Sequence, residues 1–318
     1  MPVSSPTIVA VALNPAFDRI LHVPGLWVGG HQRGRLLSIQ PAGKAVNVAR
    51  LLAMLGTPCI LTGFVGEADR GRFERSFAKT LVRVEMFEGH GLTRENITLV
   101  DPERGTETHV RDVGFELTPD DLERLAKKLT ILAARGAYVV FAGSLPPGMD
   151  AAAFGRLLDI AKKKGAFVAV DSSGAGLEAV RQAQDLWLIK PNREELAELV
   201  GRPVETDADL RDAASSLVDR IRHVVVTLGA EGAYLFDRQG AWRARPNVPD
   251  QLVIKTVGSG DALLAGFVRA RAEKKSPPEC LRWGVACGTA ATLQLRAGEV
   301  NPYDVKACLE KVDLVPVK

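Results

Sequence analysis

A small, donor-rich turn that delivers a carboxylate to a predicted helix is the strongest chemical signal in the chain: residues 256–266 read TVGSGDALLAG. Gly258, Ser259 and Gly260 carry small side chains, so their amides can approach an anion closely and are predicted to form an anion hole. A helix beginning near Asp261 adds the positive end of its dipole. This pattern favours phosphoryl transfer with Asp261 as catalytic base, although a turn closed by an N-capping Asp fits these residues equally well.

Composition sets the frame for this chemistry. The 318 residues are 46% hydrophobic and 25% charged, with a formal net charge of +3, which is typical of a globular protein. Lys and Arg are scattered and no apolar stretch reaches 18 residues, so we expect neither a nucleic-acid partner nor a membrane span. Four cysteines without a Cys-x-x-Cys pair, and no leader-like start, favour the cytoplasm. Cys280 and Cys287, seven residues apart, are predicted to pack in a core.

Short β-branched runs alternate with longer amphipathic segments. This alternation predicts an α/β fold: a doubly wound, mostly parallel sheet with helices on both faces and ligands at the carboxyl ends of its strands. The last third, residues 260–311, is predicted to be mainly helical, and clear helices are expected over 151–164 and 208–222. Buried strands are predicted at 8–13, 60–64, 137–141, 167–170, 186–189 and 223–227.

Two early stretches break this alternation. Residues 17–40 and 95–111 each carry two short segments with period-two patterning around a turn, which predicts a small sheet standing off the main one. No internal repeat or Pro/Ser-rich linker separates these strands from the rest. We therefore expect one domain, 1–318, with the small sheet inserted into it.

A Lys and an Asn lie three residues apart at a predicted turn-to-helix boundary, in the segment PAGKAVNVAR at 41–50. Lys44 and Asn47 could therefore face one pocket. The segment is not a Walker A loop, because Ser38 replaces its first Gly and Ala45 replaces the residue that binds magnesium. No Gly-x-Gly-x-x-Gly follows the first strand either, which disfavours dinucleotide binding.

Two further turns follow predicted strands. Asn192 and Glu195 lie one helical turn apart after Lys190, and could hold water around a metal–triphosphate, but an Asn followed three residues later by Glu is also a common helix start. The turn TLGAEG at 227–232 suits a nucleotide phosphate or ribose, and equally a hairpin. Neither turn decides the function alone.

In their order along the chain these segments resemble the ribokinase-like (PfkB) carbohydrate kinases. The resemblance also covers LNPAFD at 13–18, TREN at 93–96, GSLPPG at 143–148 and DSSG at 171–174, and so spans nearly the whole chain. The Asn-Pro-x-x-Asp opening is most similar to the branch that phosphorylates ketohexose phosphates. The resemblance implies an ATP- and Mg²⁺-dependent kinase whose small sheet is a lid over the sugar and a homodimer contact.

The resemblance also implies a role for each matched residue. Asp261 would be the base, with the amides of the anion hole stabilising the transferring group. Asp18 and Asn47 would hold sugar hydroxyls, Lys44 and Arg94 the acceptor's existing phosphate, and Gly43 and Ser144 would lie near the acceptor. The ATP site would comprise Lys190, Asn192, Thr227, Gly229, Gly232 and Gly260, with Asn192 and Glu195 positioning Mg²⁺ through water.

Two departures from the family pattern bear on activity: Ala45 replaces a Gly and Ala262 replaces a Ser. Ala45 could cost about 1 kcal/mol if the backbone there needs positive φ. The expected reaction is phosphorylation of fructose 1-phosphate to fructose 1,6-bisphosphate. Tagatose 6-phosphate and fructose 6-phosphate stay open as acceptors, as do a non-catalytic sugar- or nucleotide-sensing relative and a nicotinamide-dependent oxidoreductase.

Overall fold

A computed structural model describes residues 6–249 and 253–317. The strands are β1 (Ile8–Ala12), β2 (Ala16–His22), β3 (Arg35–Ala42), β4 (Cys59–Val65), β5 (Val82–Glu88), β6 (Arg94–Asp101), β7 (Thr106–Arg111), β8 (Tyr138–Ala142), β9 (Phe167–Asp171), β10 (Leu186–Ile189), β11 (Ile221–Thr227), β12 (Ala233–Asp237), β13 (Gly240–Pro246) and β14 (Val312–Val317). The helices are α1 (Lys44–Met54), α2 (Arg70–Phe77), α3 (Pro119–Leu132), α4 (Ala151–Lys163), α5 (Ala175–Gln182), α6 (Arg193–Val200), α7 (Asp207–Ser215), α8 (Ser259–Ala272), α9 (Pro277–Thr292) and α10 (Pro302–Glu310).

Ten strands form the large sheet, in the order β14-β13-β12-β11-β10-β9-β8-β1-β4-β5. In this spatial order, the strands from β11 to β5 run parallel to one another. Strands β12, β13 and β14 continue the sheet as antiparallel strands. Residues of α1, α2, α8, α9 and α10 pack on one face, and residues of α3 to α7 on the other. The predicted mostly parallel sheet with helices on both faces is confirmed.

The direction of chain crossovers reverses next to β1, which pairs with β4 on one side and β8 on the other. Ligands of open α/β sheets bind in the crevice outside the carboxyl ends of the strands at such a point. Gly143 follows β8, Asp171 ends β9 and Lys190 follows β10, so all three lie at this edge. The topology therefore brings distant motifs to one crevice.

The four predicted strands outside the main sheet form the small sheet, β3-β2-β6-β7, in which β2 and β6 are parallel. Directly paired residues share a face. One face carries Ile39, Ile97 and Val110 with Arg19 between Ile39 and Ile97, and the other carries Asp18 and Asn96. Ile39 and Val110 are exposed. The small sheet thus has a polar face and an outer face on which aliphatic side chains flank Arg19.

One predicted helix is wrong in extent. The segment 208–222 was expected to be helical throughout, but α7 ends at Ser215 and residues 216–220 form turns. Ile221 pairs with Leu186, so the sheet takes residues that the helical pattern alone had assigned to α7. Tertiary pairing overrides local periodicity here.

Packing in the last third agrees with its predicted helices. Cys280 and Cys287 both lie on α9 and are buried free thiols, which confirms their predicted core role. In the part of the chain that the structure describes, no helix combines the length and apolar character needed to cross a bilayer.

Candidate active site

The anion turn lies at the N-terminus of α8. Gly258 is its N-cap and adopts a φ of 88°, where a Cβ would lie 3.2 Å from the Ala297 Cβ, so the turn requires glycine. The Ser259 amide closes the turn on the Thr256 carbonyl oxygen at 3.2 Å. Within residues 6–249 and 253–317, the Gly260 and Asp261 amides have no hydrogen-bond acceptor. These two donors are open toward an anion.

Asp261 is the third residue of α8, and its carboxyl group is buried. Its Oδ2 accepts a hydrogen bond from Asn47 Nδ2 on α1 at 2.8 Å. Burial, together with the nearby charge of Asp171, raises the pKa of Asp261 to about 7. A carboxyl group with this pKa is suited to accept a proton near neutral pH.

Asn47 is therefore placed against the candidate base. Its Oδ1 accepts a hydrogen bond from Arg50 Nη1 at 3.2 Å, so both ends of the side chain are engaged. Arg50 itself donates to the Pro41 carbonyl at 2.6 Å. The amide of Asn47 is thus held in one orientation, with its NH₂ group toward Asp261.

Asp171 joins two of the predicted site lysines. Lys44 Nζ lies 2.9 Å from Oδ1 and Lys190 Nζ lies 3.2 Å from Oδ2. Burial opposes ionisation of this carboxylate, but the two ammonium groups outweigh burial and lower the pKa of Asp171. Burial likewise disfavours the charged form of Lys44, and its pairing with Asp171 nevertheless raises the pKa of Lys44. Asp171 and Lys44 therefore each stabilise the charged form of the other.

The predicted acceptor residues gather where the small sheet meets the large one. Asp18 Oδ1 accepts a hydrogen bond from Asn96 Nδ2 at 2.9 Å, on the polar face of the small sheet. Arg94 Nη2 donates to the Asn14 carbonyl at 2.9 Å, and Nη1 donates to the Asp112 carbonyl at 3.3 Å. Arg94 therefore fixes the backbone of this junction, with part of its guanidinium left for a ligand.

Ser144 lies next to Asn14, a residue to which the sequence analysis assigned no role. Asn14 Nδ2 lies 3.5 Å from Ser144 Oγ and donates to the Val113 carbonyl at 3.1 Å. The buried Oδ1 atom of Asn14 has no hydrogen-bond partner among the described residues. The Asn-Pro opening of the LNPAFD motif was the available signal for this residue.

A cavity of about 280 Å³ lies on the other side of the anion turn. Thr227, Gly229, Gly232 and Gly260, four of the predicted ATP residues, line it together. Its apolar wall includes Leu263 on α8 and Val285 on α9. No sequence pattern predicted the α9 wall, because only tertiary packing brings α9 beside the TLGAEG turn.

Asn192 and Glu195 form the N-terminal cap of α6, which is the helix start that the sequence analysis offered beside a metal-binding role. Asn192 Oδ1 accepts from the Glu195 amide at 2.8 Å, and Glu195 Oε2 accepts from the Asn192 amide at 2.9 Å. Asn192 also forms an isolated parallel β-bridge with Thr227, which lines this cavity, and Glu195 is close enough to Lys44 to favour its charged form. No cluster of three His, Cys, Asp or Glu side chains occurs in the described ranges.

The family departures leave the backbone undisturbed. Ala45 lies inside α1 without positive φ and is buried, so the predicted strain is absent. Ala262 is fully buried within α8.

Comparison with known proteins shows the family of this chain. Residues 9–303 match the pfkB family carbohydrate kinases. The chain is 32% identical over 310 residues to 1-phosphofructokinase of Escherichia coli K12, covering 97% of this chain and 98% of that protein. It is 35% identical over 298 residues to 1-phosphofructokinase of Rhodobacter capsulatus, with 93% and 92% covered.

Solved structures show the same likeness. The structure of Escherichia coli phosphofructokinase-2 in complex with potassium has a TM-score of 0.91 and 30% identity, covering 96% of this chain and 98% of that one. Its fructose-6-phosphate complex and its tetrameric inhibited form have TM-scores of 0.87 and 0.89. The chain belongs to the PfkB family of carbohydrate kinases. Within that family it is a phosphofructokinase-type sugar kinase that uses ATP.

Replacing Asp261 with Asn should separate binding from chemistry. The amide keeps the shape of the side chain but cannot accept a proton, so kcat should fall at least ~100-fold while ATP and sugar affinities stay near those of the wild type. In the wild type, kcat/KM should rise with pH through about 7, where Asp261 loses its proton. Asp237→Asn, at the opposite edge of the sheet, is the control. More than about a tenth of wild-type kcat in Asp261→Asn would rule Asp261 out as the base.

The same substitution should change the pH dependence of stability. Because the folded-state pKa of Asp261 is raised to about 7, its stabilising contribution is fully present below the unfolded-state pKa near ~4 and is lost as pH rises to about 7. Asp261→Asn removes this loss. Its Tm relative to wild type should therefore increase between pH 4 and 7 in thermal melts. A difference that stays constant over that range would contradict the buried, proton-binding state of Asp261.

Proposed function

We propose that this enzyme transfers the γ-phosphoryl group of ATP to fructose 1-phosphate, giving fructose 1,6-bisphosphate and ADP. The observation that carries the proposal is the buried carboxyl group of Asp261, which lies beside open amides between the nucleotide cavity and the polar face of the small sheet. The relatives named 1-phosphofructokinase support this acceptor. The phosphofructokinase-2 complex with fructose 6-phosphate makes that sugar the second candidate, followed by tagatose 6-phosphate.

In the proposed reaction, Asp261 accepts the proton of the attacking sugar hydroxyl. A bond forms between that oxygen and the γ-phosphorus while the bond from the γ-phosphorus to the bridging oxygen breaks, and ADP leaves with the bond electrons. The Gly260 and Asp261 amides stabilise the charge on the transferring oxygens. Asn47 holds the Asp261 carboxylate in position after the proton has moved on to solvent.

Acceptor binding is assigned to the junction of the two sheets. Asp18 and Ser144 are proposed to contact the sugar, with Gly43 allowing close approach at the start of α1. Arg94 is proposed to contact the acceptor's existing phosphate with the donors that the backbone does not use. The exposed Arg111, which pairs with Asn96 on the polar face, adds positive charge there.

The residues present fit a Mg²⁺ ion held mainly by ATP phosphates and water. Such an ion needs only one or two protein carboxylates, and Glu195 with Asn192 supplies this kind of donor set at the cavity mouth. When bound, Mg²⁺ would neutralise phosphate charge. Lys190, Thr227, Gly229 and Gly232 are proposed to contact the nucleotide itself.

A non-catalytic role has little support, because the two alanine departures leave α1 and α8 regular. Membership of a kinase family also leaves the oxidoreductase alternative without support. A cytoplasmic location and a single domain over 1–318 stay predictions.

A panel of acceptors tests the proposed substrate. With MgATP, ADP release should be fastest in kcat/KM for fructose 1-phosphate, compared with fructose 6-phosphate, tagatose 6-phosphate and unphosphorylated fructose. Asp261→Asn is the control for contaminating kinases. Preference for a 6-phosphate would reassign the acceptor within the family, and no turnover of any sugar above the Asp261→Asn background would favour a non-catalytic relative.

We also propose that the enzyme is a homodimer through the small sheet. The outer face carries exposed apolar residues at Leu36, Ile39 and Val110 around the Arg19–Glu95 ion pair, and a sheet of four strands with such an uncovered, largely apolar face is a natural contact for a second copy. The tetrameric form of phosphofructokinase-2 leaves higher assembly open.

Light scattering on the wild type should give twice the 34.2 kDa chain mass. Ile39→Lys places a charge on the outer face and should shift the protein to monomer, whereas Ile131→Lys, at an exposed aliphatic residue on α3, should not. A wild-type monomer, or a dimer that Ile39→Lys leaves intact, would contradict the proposed interface.

A further inference from the structure

Asp171 is buried between two lysines that differ in their access to the crevice. The side chains of Asp171 and Lys190 are 1% and 6% exposed, whereas that of Lys44 is 37% exposed. Lys190 and Asp171 are therefore fixed within the protein. Lys44 reaches the same carboxylate from the start of α1 and can also turn toward a ligand, because its long side chain has several rotatable bonds.

The pair of lysines lies against the anion turn. A Cβ built on Gly260 would lie 3.2 Å from Lys190 Nζ, so this ammonium group is next to one of the open amides. Asp171 is also near enough to Asp261 to contribute to its raised pKa. Groups on α1, on β9, directly after β10 and on α8 thus converge where a phosphate would meet the base.

This arrangement has an electrostatic consequence. Buried charges are tolerated when they are paired, and Asp171 is the counter-ion of both lysines. An incoming polyphosphate is a second anion that seeks the same ammonium groups. It must therefore compete with Asp171 for Lys44 and approach a fixed negative charge.

We propose that Asp171 is a positioning residue that holds Lys44 and Lys190 at the phosphoryl-transfer site, and that Lys44 leaves it for the transferring phosphate. Lys44 then serves the polyphosphate and not the acceptor's existing phosphate, which Arg94 contacts. The inference rests on the proposed function, because it takes a transferring phosphate as the group that Lys44 joins.

The test uses Asp171→Asn and inorganic tripolyphosphate in metal-free buffer, so that no divalent ion contributes. Removing the competing carboxylate should tighten tripolyphosphate binding by on the order of tenfold in calorimetry, while kcat with MgATP falls because the lysines lose their anchor. Asp237→Asn, which removes a buried carboxylate far from the crevice, should change neither. Unchanged or weaker tripolyphosphate binding in a folded Asp171→Asn protein would overturn the proposal.

A double-mutant cycle identifies the lysine involved. The tighter binding caused by Asp171→Asn should largely disappear in a Lys44→Gln background, since the gain is expected to come through Lys44. If Asp171→Asn does not fold, Lys44→Gln alone still gives a test. It should weaken tripolyphosphate binding at least tenfold and leave unchanged the affinity for the acceptor's existing phosphate, which Arg94 is proposed to contact. Equal tripolyphosphate affinity in Lys44→Gln and wild type would refute the transfer of Lys44 to phosphate.

The outcome is separable from that of the acceptor panel. Tighter anion binding in Asp171→Asn with no sugar turned over would count against the proposed function and support the role of Asp171. A clear preference for fructose 1-phosphate with unchanged tripolyphosphate binding in Asp171→Asn would support the proposed function and count against the role of Asp171.

Discussion

Close packing of α8 against α9 is the constraint on which the catalytic end of the molecule depends. A Cβ on Gly266 would lie 2.7 Å from Cys287 Sγ, so the two helices meet at a distance that only glycine permits. This contact fixes the axis of α8 and, with it, the turn at its N-terminus. Asp261 therefore owes its position to apolar packing one to two turns further along the helix.

Electrostatics then adjusts what packing has positioned. Burial and the charge of Asp171 raise the pKa of Asp261, while the Asn47 hydrogen bond and the two lysines act in the opposite direction. A carboxylate in water is a weak base at neutral pH, and full pairing with a lysine would make it weaker still. By directing both lysines to Asp171, the fold keeps cations close to the proposed phosphate site without neutralising the proposed base.

The sequence predicted best where chemistry coincided with strand ends. The resemblance to the PfkB kinases implied one site for Thr227, Gly229, Gly232 and Gly260, and these residues line one cavity. Three contacts could not be predicted from the sequence, because they join residues far apart in the chain. Asn47 contacts Asp261, Arg94 donates to main-chain carbonyls, and α9 forms a wall of the cavity. The DSSG motif was visible, but only the sheet places Asp171 between two lysines. Helix α7 ended early for the same reason, since Ile221 is recruited by β10.

The attachment of the small sheet to the large one determines which parts of the crevice can move. Ala16 and Ala42 are buried, face each other at the ends of β2 and β3, and Ala16 also pairs with Arg94 at the start of β6. These three residues define a pivot line, and Lys44 lies only two residues beyond it. A tilt of the small sheet about this line would therefore displace the far ends of β2 and β3 most, and Asp18, which is only two residues from Ala16, much less. The junction would then act as a hinge that leaves Asp18 and Lys44, each two residues away from it, close to their present positions.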